Sequence, residues 1–443
     1  MKTSLEEINT VKKKLSVEIE SQEVDKKLNE AYRDLKKKAK IPGFRQGKVP
    51  RNILERHFQD QVADDVIRAL INETFPKAID EMKTFPLGAP LLEKDSLKKG
   101  ENFKYSAVME VKPQFDVSDY MGLEIEKEKC SVTDDDIEAQ LDQIRKAGGK
   151  MNALEEDRAV LKDDYVVLDY EAFEDGTPLE EIKTSNFLLK VGSGDFHPKF
   201  EEGLIGLNKE EEKEIEVDFE DGFYHSMLSG KKIRFNVKIT DIKQLVLPEL
   251  DDEFAKGLGA DFDNLEDLKK KIRETTVTQE EERTEKEMKQ RLLHKIAATL
   301  DFELPQILIE NEIDYAVESV KQNLARSGAD LGKAGLSEEK LRSDFKPAAE
   351  TRVREMLVLE EITKKEDIAI NEEELAEGFK DLASKTGQDI ETLRKYYEAR
   401  DMVESLRENL LQEKTLNNLV ENANIIEVEK GAITQDLSEK ENS

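Results

Sequence analysis

The sequence predicts a multidomain protein that combines two α+β domains with an all-α body. Apolar residues alternate on either side of a long helical pattern in residues 1–112, and short strands with turn signals occupy residues 164–242. Nearly everything after residue 251 has helical periodicity. At 443 residues the chain is long enough for about three domains of ~150 residues, each with its own core. Charged residues (38%) balance apolar ones (37%), which is typical of a folded, helix-rich chain.

Residues 1–112 are predicted to form the first α+β domain. Alternation over Lys14–Glu20 predicts a half-buried strand, and Ser21 is placed to cap the helix that follows. Apolar residues at steps of three and four then predict two helices. The second helix is expected to run to about Ile71, where Phe75-Pro76 would interrupt it. A further alternating stretch, Phe103–Met109, predicts the closing strand.

The ten residues between the two helices are predicted to form the tip of a helical hairpin. Pro42 and Gly43 are expected to stop the first helix, and Pro50 suits the first turn of the second, where its missing N–H costs little. Gly43 and Gly47 permit tight bends that turn the side chains between them outward. The tip therefore displays its side chains to solvent.

The tip is basic, although the chain as a whole is acidic. Residues 33–56 include nine basic and two acidic side chains, a net charge of +7, whereas the full chain carries −31. Phe44 lies among these charges, beside Arg45 and close to Lys48. Such a tip can dock on a polyanion that repels the rest of the protein. From charge alone, a solvated loop that carries a charge run remains an equal alternative.

The tip motif Gly43-Phe44-Arg45-x-Gly47-Lys48-x-Pro50 resembles the ribosome-docking signature of the trigger factor family, bacterial chaperones at the nascent-chain exit. Chain length and segment order agree with this family along essentially the whole sequence. The resemblance implies that Phe44, Arg45 and Lys48 contact the large ribosomal subunit, both protein and RNA, beside the tunnel exit. It also implies a cytoplasmic protein that binds nascent and unfolded polypeptides, with a homodimer as a state off the ribosome.

Residues 113–149 are predicted to be a connecting segment, and residues 150–247 a separate domain of mostly antiparallel strands. The connecting segment contains a predicted helix, Asp134–Ala147, which Gly148-Gly149 stops. In the middle domain, Asp175-Gly176 marks a hairpin turn. The predicted strands are Tyr165–Tyr170, Phe187–Val191 and Ile233–Ile242.

The order of aromatic residues in this middle domain resembles that of FKBP-type peptidyl-prolyl isomerases. The matching segments are Asp169-Tyr170, Asp175-Gly176-x-x-Leu179-Glu180, Phe187, Phe196–Phe200, Tyr224-His225 and Phe235. The chain departs from the family pattern at Leu179, Glu180, His197 and Lys199. The resemblance implies a short helix in the domain and a non-covalent isomerase pocket formed by Tyr170, Phe187, Phe196, His197, Phe200, Tyr224 and Phe235.

Such a pocket needs no nucleophile. An X–Pro amide resists rotation by ~18–20 kcal/mol because of resonance, and a twisted amide carries less charge separation than a planar one. A dry aromatic pocket therefore favours the twisted state, which is differential binding of the transition state. From their spacing alone, the same aromatic residues are also typical of the core of a small β domain.

Residues 248–443 are predicted to form a helical body, with a disordered tail from about residue 434. Asp263 with Glu266, and Asn371 with Glu374, resemble capping boxes. Breaks between helices are predicted at or near Pro305, Gly328, Gly335, Pro347 and Gly387. By the family resemblance, this body carries two arms that form a cradle for client polypeptides. Two other functions stay open: a free-standing isomerase, and an interaction scaffold whose isomerase fold is inactive.

The sequence contains no motif for a cofactor, a metal or a membrane anchor. Cys130 is the only cysteine, so neither an internal disulfide nor a cysteine-based zinc site is expected. The scattered histidines lack metal-ligand spacing, and Gly192-Ser193-Gly194 lacks the lysine of a phosphate-binding loop, so ATP use is not expected. No stretch approaches the ~20 apolar residues of a membrane span, the N-terminus does not resemble a signal peptide, and the acidic charge argues against DNA binding.

Overall fold

The computed structural model describes residues 1–42, 44–154, 158–220, 228–259, 262–326, 329–332 and 334–433, without the side chain of Glu180. The chain forms two compact units, each built from several chain segments. The first unit comprises residues 1–121, 293–318 and 342–421, and the second comprises residues 122–292, 319–341 and the chain from 422 onward. None of the helices in the described ranges is both long and apolar enough to cross a bilayer.

Strands and helices are interspersed in the first half of the chain, and helices dominate the second half. The strands are β1 Lys2–Glu7, β2 Lys12–Ile19, β3 Leu91–Lys94, β4 Phe103–Glu110, β5 Glu124–Glu128, β6 Lys150–Ala153, β7 Tyr165–Glu174, β8 Thr177–Lys190, β9 Glu212–Asp218, β10 Lys232–Val246 and β11 Asn424–Val428. The helices are α1 Ser21–Lys38, α2 Arg51–Met82, α3 Asp134–Ala147, α4 Pro198–Leu204, α5 Asp252–Leu258, α6 Leu265–Ala298, α7 Gln306–Arg326, α8 Glu338–Lys365, α9 Glu372–Thr386, α10 Ile390–Ala399 and α11 Val403–Glu421.

An antiparallel sheet of order β1-β2-β4-β3 packs against α1 and α2 in the first unit. Both predicted strands, β2 and β4, are confirmed, and they pair with Leu15 opposite Ala107 and Ile19 opposite Phe103. The inward residues of both strands are buried and share one core with the hairpin. The sequence pattern does not predict β1 and β3, because these edge strands are largely exposed and lack the alternation that marks a half-buried strand.

The predicted capping role of Ser21 is wrong. Ser21 is the first residue of α1, and Glu20 occupies the capping position without a side-chain hydrogen bond. The backbone N–H of Ser21 instead donates to Oδ1 of Asn102 (2.9 Å). Because Asn102 lies 81 residues away in sequence, local pattern could not identify this cap.

The predicted interruption of the second helix at Phe75-Pro76 is also wrong. Helix α2 continues through Pro76 to Met82 and ends where Lys83 adopts a left-handed conformation. Proline removes one helical hydrogen bond, but Thr74 and Ala78 on either side of it are buried in the core. Packing therefore offsets the local cost. The predicted break at Pro347 is likewise wrong, because this residue lies inside α8.

The helical body shows the predicted capping at one position and a shifted cap at another. At the start of α9, Asn371 and Glu374 each accept a hydrogen bond from the other's backbone N–H, so this capping box is confirmed. At the start of α6 the predicted Asp263–Glu266 pair is wrong by one residue. Asn264 accepts from the N–H of Asp267 (2.9 Å) instead. Pro305 and Gly387 border helices as predicted, and Gly328 lies outside the described residues.

The second unit contains a five-stranded antiparallel sheet of order β6-β10-β7-β8, with β9 paired to β10. Asp175 and Gly176 join β7 to β8 with φ angles of 49° and 84°, so the predicted hairpin turn is confirmed with the positive angles of a type I′ turn. The short helix α4 packs on the inner face of the sheet, where Phe200 and Leu204 belong to its core. Helix α3 has the predicted bounds.

A buried ion pair fixes the entry to this sheet. Asp164, which is 5% exposed, receives hydrogen bonds from Nη1 (2.6 Å) and Nη2 (2.9 Å) of Arg158 and from the N–H of Leu161 (2.8 Å). Burial acts to raise the pKa of Asp164, but the Arg158 and Leu161 hydrogen bonds outweigh burial and hold the pKa below its usual value.

We expect Asp164 to make the stability of this sheet dependent on pH. A carboxyl whose pKa is lowered by folding stabilises the fold fully above its unfolded pKa, and this stabilisation is lost as pH falls through the folded pKa, hence below about pH 4. In the variant Asp164→Asn, the free energy of unfolding should fall by on the order of 2–3 kcal/mol at neutral pH. Its stability should also depend less steeply on pH in the acid range. Urea unfolding followed by NMR signals of the sheet measures both effects. The neighbouring exposed Asp163→Asn is the control, and equal behaviour of the two variants would contradict the assignment.

Candidate functional sites: the hairpin tip and the aromatic pocket

The hairpin tip is a short double turn between α1 and α2. The N–H of Phe44 donates to the carbonyl of Ile41 (3.1 Å), and the N–H of Lys48 donates to the carbonyl of Arg45 (2.9 Å). Gly47 holds φ at +81°, the value that the third residue of a type II turn requires. An alanine at this position would meet no atom within 4 Å, so conformation alone explains the glycine.

The tip is anchored by its ends and exposed in its middle. Ala39 and Val49 are buried in the core of the first unit. Pro50 occupies the N-cap position immediately before α2, and not the first turn of the helix as predicted. Phe44 is 41% exposed, and Arg45 and Lys48 are exposed. Gly43 lies outside the described residues. The two turns therefore present one aromatic and two basic side chains together.

Basic residues near the tip fall into two groups. Lys37 donates a hydrogen bond to Asp34 (2.8 Å), which lowers the pKa of that carboxyl and keeps it charged, and Arg51 pairs with Glu55 (2.7 Å). Within the part of the chain that the structure describes, neither Arg45 nor Lys48 has an acidic partner within salt-bridge distance. Their charges are therefore available to an external anion.

The predicted pocket aromatics come together on the inner face of the second sheet. Among the described residues, the ring of Tyr170 has four aromatic neighbours, with centroid distances of 5.7 Å to Phe187 and Phe196 and 6.0 Å to Phe200 and Phe235. Most of these rings meet edge to face, an arrangement that aromatic pairs favour. We refer to these five residues as the aromatic box.

The box has a buried floor and an accessible rim. Phe200 and Phe235 are fully buried and Tyr170 is 8% exposed, whereas Phe187 and Phe196 are half-buried. The floor and rim come from different elements: three residues from strands β7, β8 and β10, one from α4, and Phe196 from the loop before α4. A small apolar group could therefore contact the rim rings from solvent, while the floor remains dry.

His197 and Tyr224 differ from the other predicted pocket residues. His197 caps α4, where its Nδ1 accepts from the N–H of Lys199 (3.2 Å), and its ring lies 5.1 Å from Phe219. Tyr224 lies outside the described residues. Sequence reasoning missed Phe219, which is buried and lies 6.2 Å from Phe235. The only available signal was its position just after the alternating strand β9.

A concavity of about 540 Å³ lies on the outer surface of strands β7, β8, β9 and β10, and Tyr170 is among its lining residues. Its walls carry carboxylates, lysines and amides, and Lys183 pairs with Glu171 there (2.5 Å). A surface of compensated charges does not select an apolar proline. In the described part of the chain, no group of three or more His, Cys, Asp or Glu side chains could hold a metal ion.

An aromatic box on an antiparallel sheet, in a chain that also carries a basic hairpin tip and a large helical portion, defines the class of multidomain proteins in which an FKBP-type domain is joined to an α+β domain and a helical body. The comparisons with known proteins agree with this class. Residues 1–144 match the family described as bacterial trigger factor protein, residues 264–421 match its C-terminal family, and residues 156–243 match the FKBP-type peptidyl-prolyl cis-trans isomerase family.

Relatives match along nearly the whole chain. The trigger factor of Geotalea daltonii is 36% identical over 431 residues, which cover 97% of this chain and 99% of that protein. The trigger factor of Caldicellulosiruptor bescii is 38% identical over 431 residues, with coverage of 96% and 98%. A solved trigger factor chaperone structure is 22% identical, with a TM-score of 0.49 and coverage of 95% and 99%. The chain belongs to the trigger factor family.

Proposed function

We propose that this protein is an ATP-independent chaperone that docks on the large ribosomal subunit, shields nascent polypeptides and isomerises X–Pro bonds. Residues 1–112 would be the docking domain, residues 113–149 a connection, residues 150–247 the isomerase domain and residues 248–443 the helical chaperone domain. Docking would occur in the cytoplasm through Phe44, Arg45 and Lys48, with Gly43, Gly47 and Pro50 shaping the tip. The exposed aromatic side chain and the exposed basic side chains of the tip are the observation that carries this proposal.

The docking role rests on the chemistry of a ribosomal surface. Phosphates of RNA attract the exposed cations of Arg45 and Lys48, and the exposed ring of Phe44 can bury against an apolar protein surface. The strongly negative remainder of the chain is repelled from RNA, so only the tip can approach. Cosedimentation of the full chain with purified large subunits tests this role directly.

The isomerase role rests on the aromatic box. A proline ring that enters between Phe187 and Phe196 would lie over a dry floor, where a twisted amide is favoured over a planar one. No described residue needs to form a bond or transfer a proton in this process. His197 and Tyr224 belong to the proposed pocket as well. Turnover of a prolyl peptide in a cis-trans assay is the test.

A second candidate is a chaperone whose isomerase domain binds without turnover. The observation in its favour is Leu179, which stands where the FKBP family has phenylalanine and packs against the sheet core. An aliphatic side chain at this position leaves the domain with one aromatic ring fewer than the family pattern. A prolyl peptide that binds the wild-type chain but is not isomerised would favour this candidate.

The holding of unfolded polypeptides is expected to need neither the aromatic box nor ATP. The described surface offers scattered apolar side chains, such as Phe85, Leu91 and Tyr315, each 68–69% exposed. Small patches on a highly charged protein suit weak, rapid binding without a nucleotide cycle. The helical body and the N-terminal domain would therefore hold clients.

We predict that deleting residues 150–245 leaves suppression of client aggregation largely intact. The core of the sheet in this range uses residues from within the range, and Lys150 lies opposite Val246, so the ends can be rejoined. Light scattering of a denatured client, with and without ATP, is the measurement. The proposed division of labour is wrong if the folded deletion variant is inert, if ATP is required, or if residues 150–245 alone match the full chain.

A further inference from the structure

A buried carboxylate beside the aromatic box ties a loop to a helix. Glu201 lies in the first turn of α4 and is only 2% exposed. Its Oε2 accepts hydrogen bonds from the N–H groups of Gly192 (2.8 Å) and Gly194 (3.1 Å). Its Oε1 accepts from the N–H of Phe196 (3.1 Å). Three backbone N–H groups therefore donate hydrogen bonds to the one buried carboxylate.

The loop that donates these bonds is shaped to surround an anion. Gly192 and Gly194 have φ angles of +89° and +80°, a region that side-chain-bearing residues avoid. Alternate N–H groups consequently point to the same side, as in the backbone concavities that bind phosphates. Here the chain's own carboxylate fills the concavity. This explains why Gly192-Ser193-Gly194 resembles part of a phosphate loop but lacks its lysine.

We propose that Glu201 is a positioning residue that holds the ring of Phe196 in the aromatic box. Phe196 lies outside the strands and helices and is only half-buried, so no ladder of backbone hydrogen bonds fixes its main chain, although its ring packs against the other rings of the box. Phe200 precedes Glu201 on α4, and its ring lies 4.3 Å from that of Phe196. The same turn of α4 therefore carries Phe200, which belongs to the floor of the box, and Glu201, which hydrogen-bonds to the rim residue Phe196. This inference rests on the proposed isomerase function.

The geometry of the tether ranks the substitutions at this position. Glutamine retains one acceptor oxygen but places an NH₂ group where the second oxygen accepted, so it can keep only one end of the tether. Alanine keeps neither end. Glu202 is the next residue on the same helix and is exposed, so Glu202→Gln removes the same charge without touching the loop.

The first measurement is isomerase turnover with a prolyl peptide. We expect kcat/KM to fall on the order of tenfold for Glu201→Gln and up to about a hundredfold for Glu201→Ala, as for a misplaced binding group. Glu202→Gln should match the wild type. In a Phe196→Ala background, Glu201→Gln should cause little further loss, because both changes act through the same ring. If Glu201 only stabilised the fold, Glu201→Gln would lower kcat/KM by the same factor in the Phe196→Ala background as in the wild type.

The second measurement is amide hydrogen exchange at Gly192, Gly194 and Phe196, followed by NMR at neutral pH. Exchange should accelerate in Glu201→Gln but not in Glu202→Gln, while amides of β7 and β10 stay protected. Unchanged exchange, or additive effects of Glu201→Gln and Phe196→Ala, would overturn the inference. If the wild type does not isomerise the peptide, the proposed isomerase function fails separately. In that case the role of Glu201 is decided by the exchange data and by the affinity for the prolyl peptide, measured for Glu201→Gln, Phe196→Ala and the double variant.

Discussion

Replacing Phe44, Arg45 and Lys48 together by alanine is expected to abolish cosedimentation with large ribosomal subunits while leaving the fold intact. All three side chains are exposed, and the turn is held by backbone hydrogen bonds and by the buried Ala39 and Val49, so the core loses nothing. Loss of an aromatic anchor and two charges should cost roughly 3–6 kcal/mol of binding free energy. At 25 °C this lowers affinity by at least about a hundredfold.

The matched control for the tip variant is Phe85, Lys98 and Lys99 replaced by alanine. These residues also comprise one exposed aromatic and two exposed lysines of the N-terminal domain, but they lie away from the tip in sequence. This control should sediment like the wild type, and the affinity of the wild type should fall with salt because phosphate contacts release counterions. Equal cosedimentation of the tip variant and the wild type at moderate salt would refute the docking role.

Truncating Phe200 to alanine is expected to remove most isomerase activity. Its ring is fully buried and contacts Tyr170, Phe196 and Phe235, with centroid distances of 4.3–6.0 Å. The resulting cavity would let the floor of the box collapse or admit water. Because truncation of a buried aromatic also costs ~3–5 kcal/mol of stability, circular dichroism must confirm that the variant is folded.

Two further substitutions separate activity from stability. Phe200→Leu keeps apolar volume without the ring, so it should fold more stably than Phe200→Ala yet remain impaired in turnover. Phe173→Ala removes a ring of β7 that lies under Arg234 rather than in the box, and should retain activity. Tyr170→Ala and Phe235→Ala should lower turnover strongly. Full turnover by a folded Phe200→Ala variant would place the pocket elsewhere.

The sequence alone could predict the elements whose pattern repeats over short distances. Helix α3, strands β2 and β4 and the capping box at Asn371 all depend on residues within a few positions of one another. The order of aromatics indicated the box only through its resemblance to the FKBP family, because their spacing alone is also typical of the core of a small β domain. Alternation and helical spacing report burial on one face, and burial is a strong local signal.

Only the tertiary structure decided the features that depend on distant partners. Asn102 caps α1 across 81 residues, and packing around Pro76 carries α2 through a residue that by itself would end a helix. The convergence of five rings from four separated segments, and the tether from Glu201 to the glycine loop, likewise required the folded sheet. Local propensities amount to about 1 kcal/mol or less per residue, except at proline, so burial and long-range hydrogen bonds override them once the core forms.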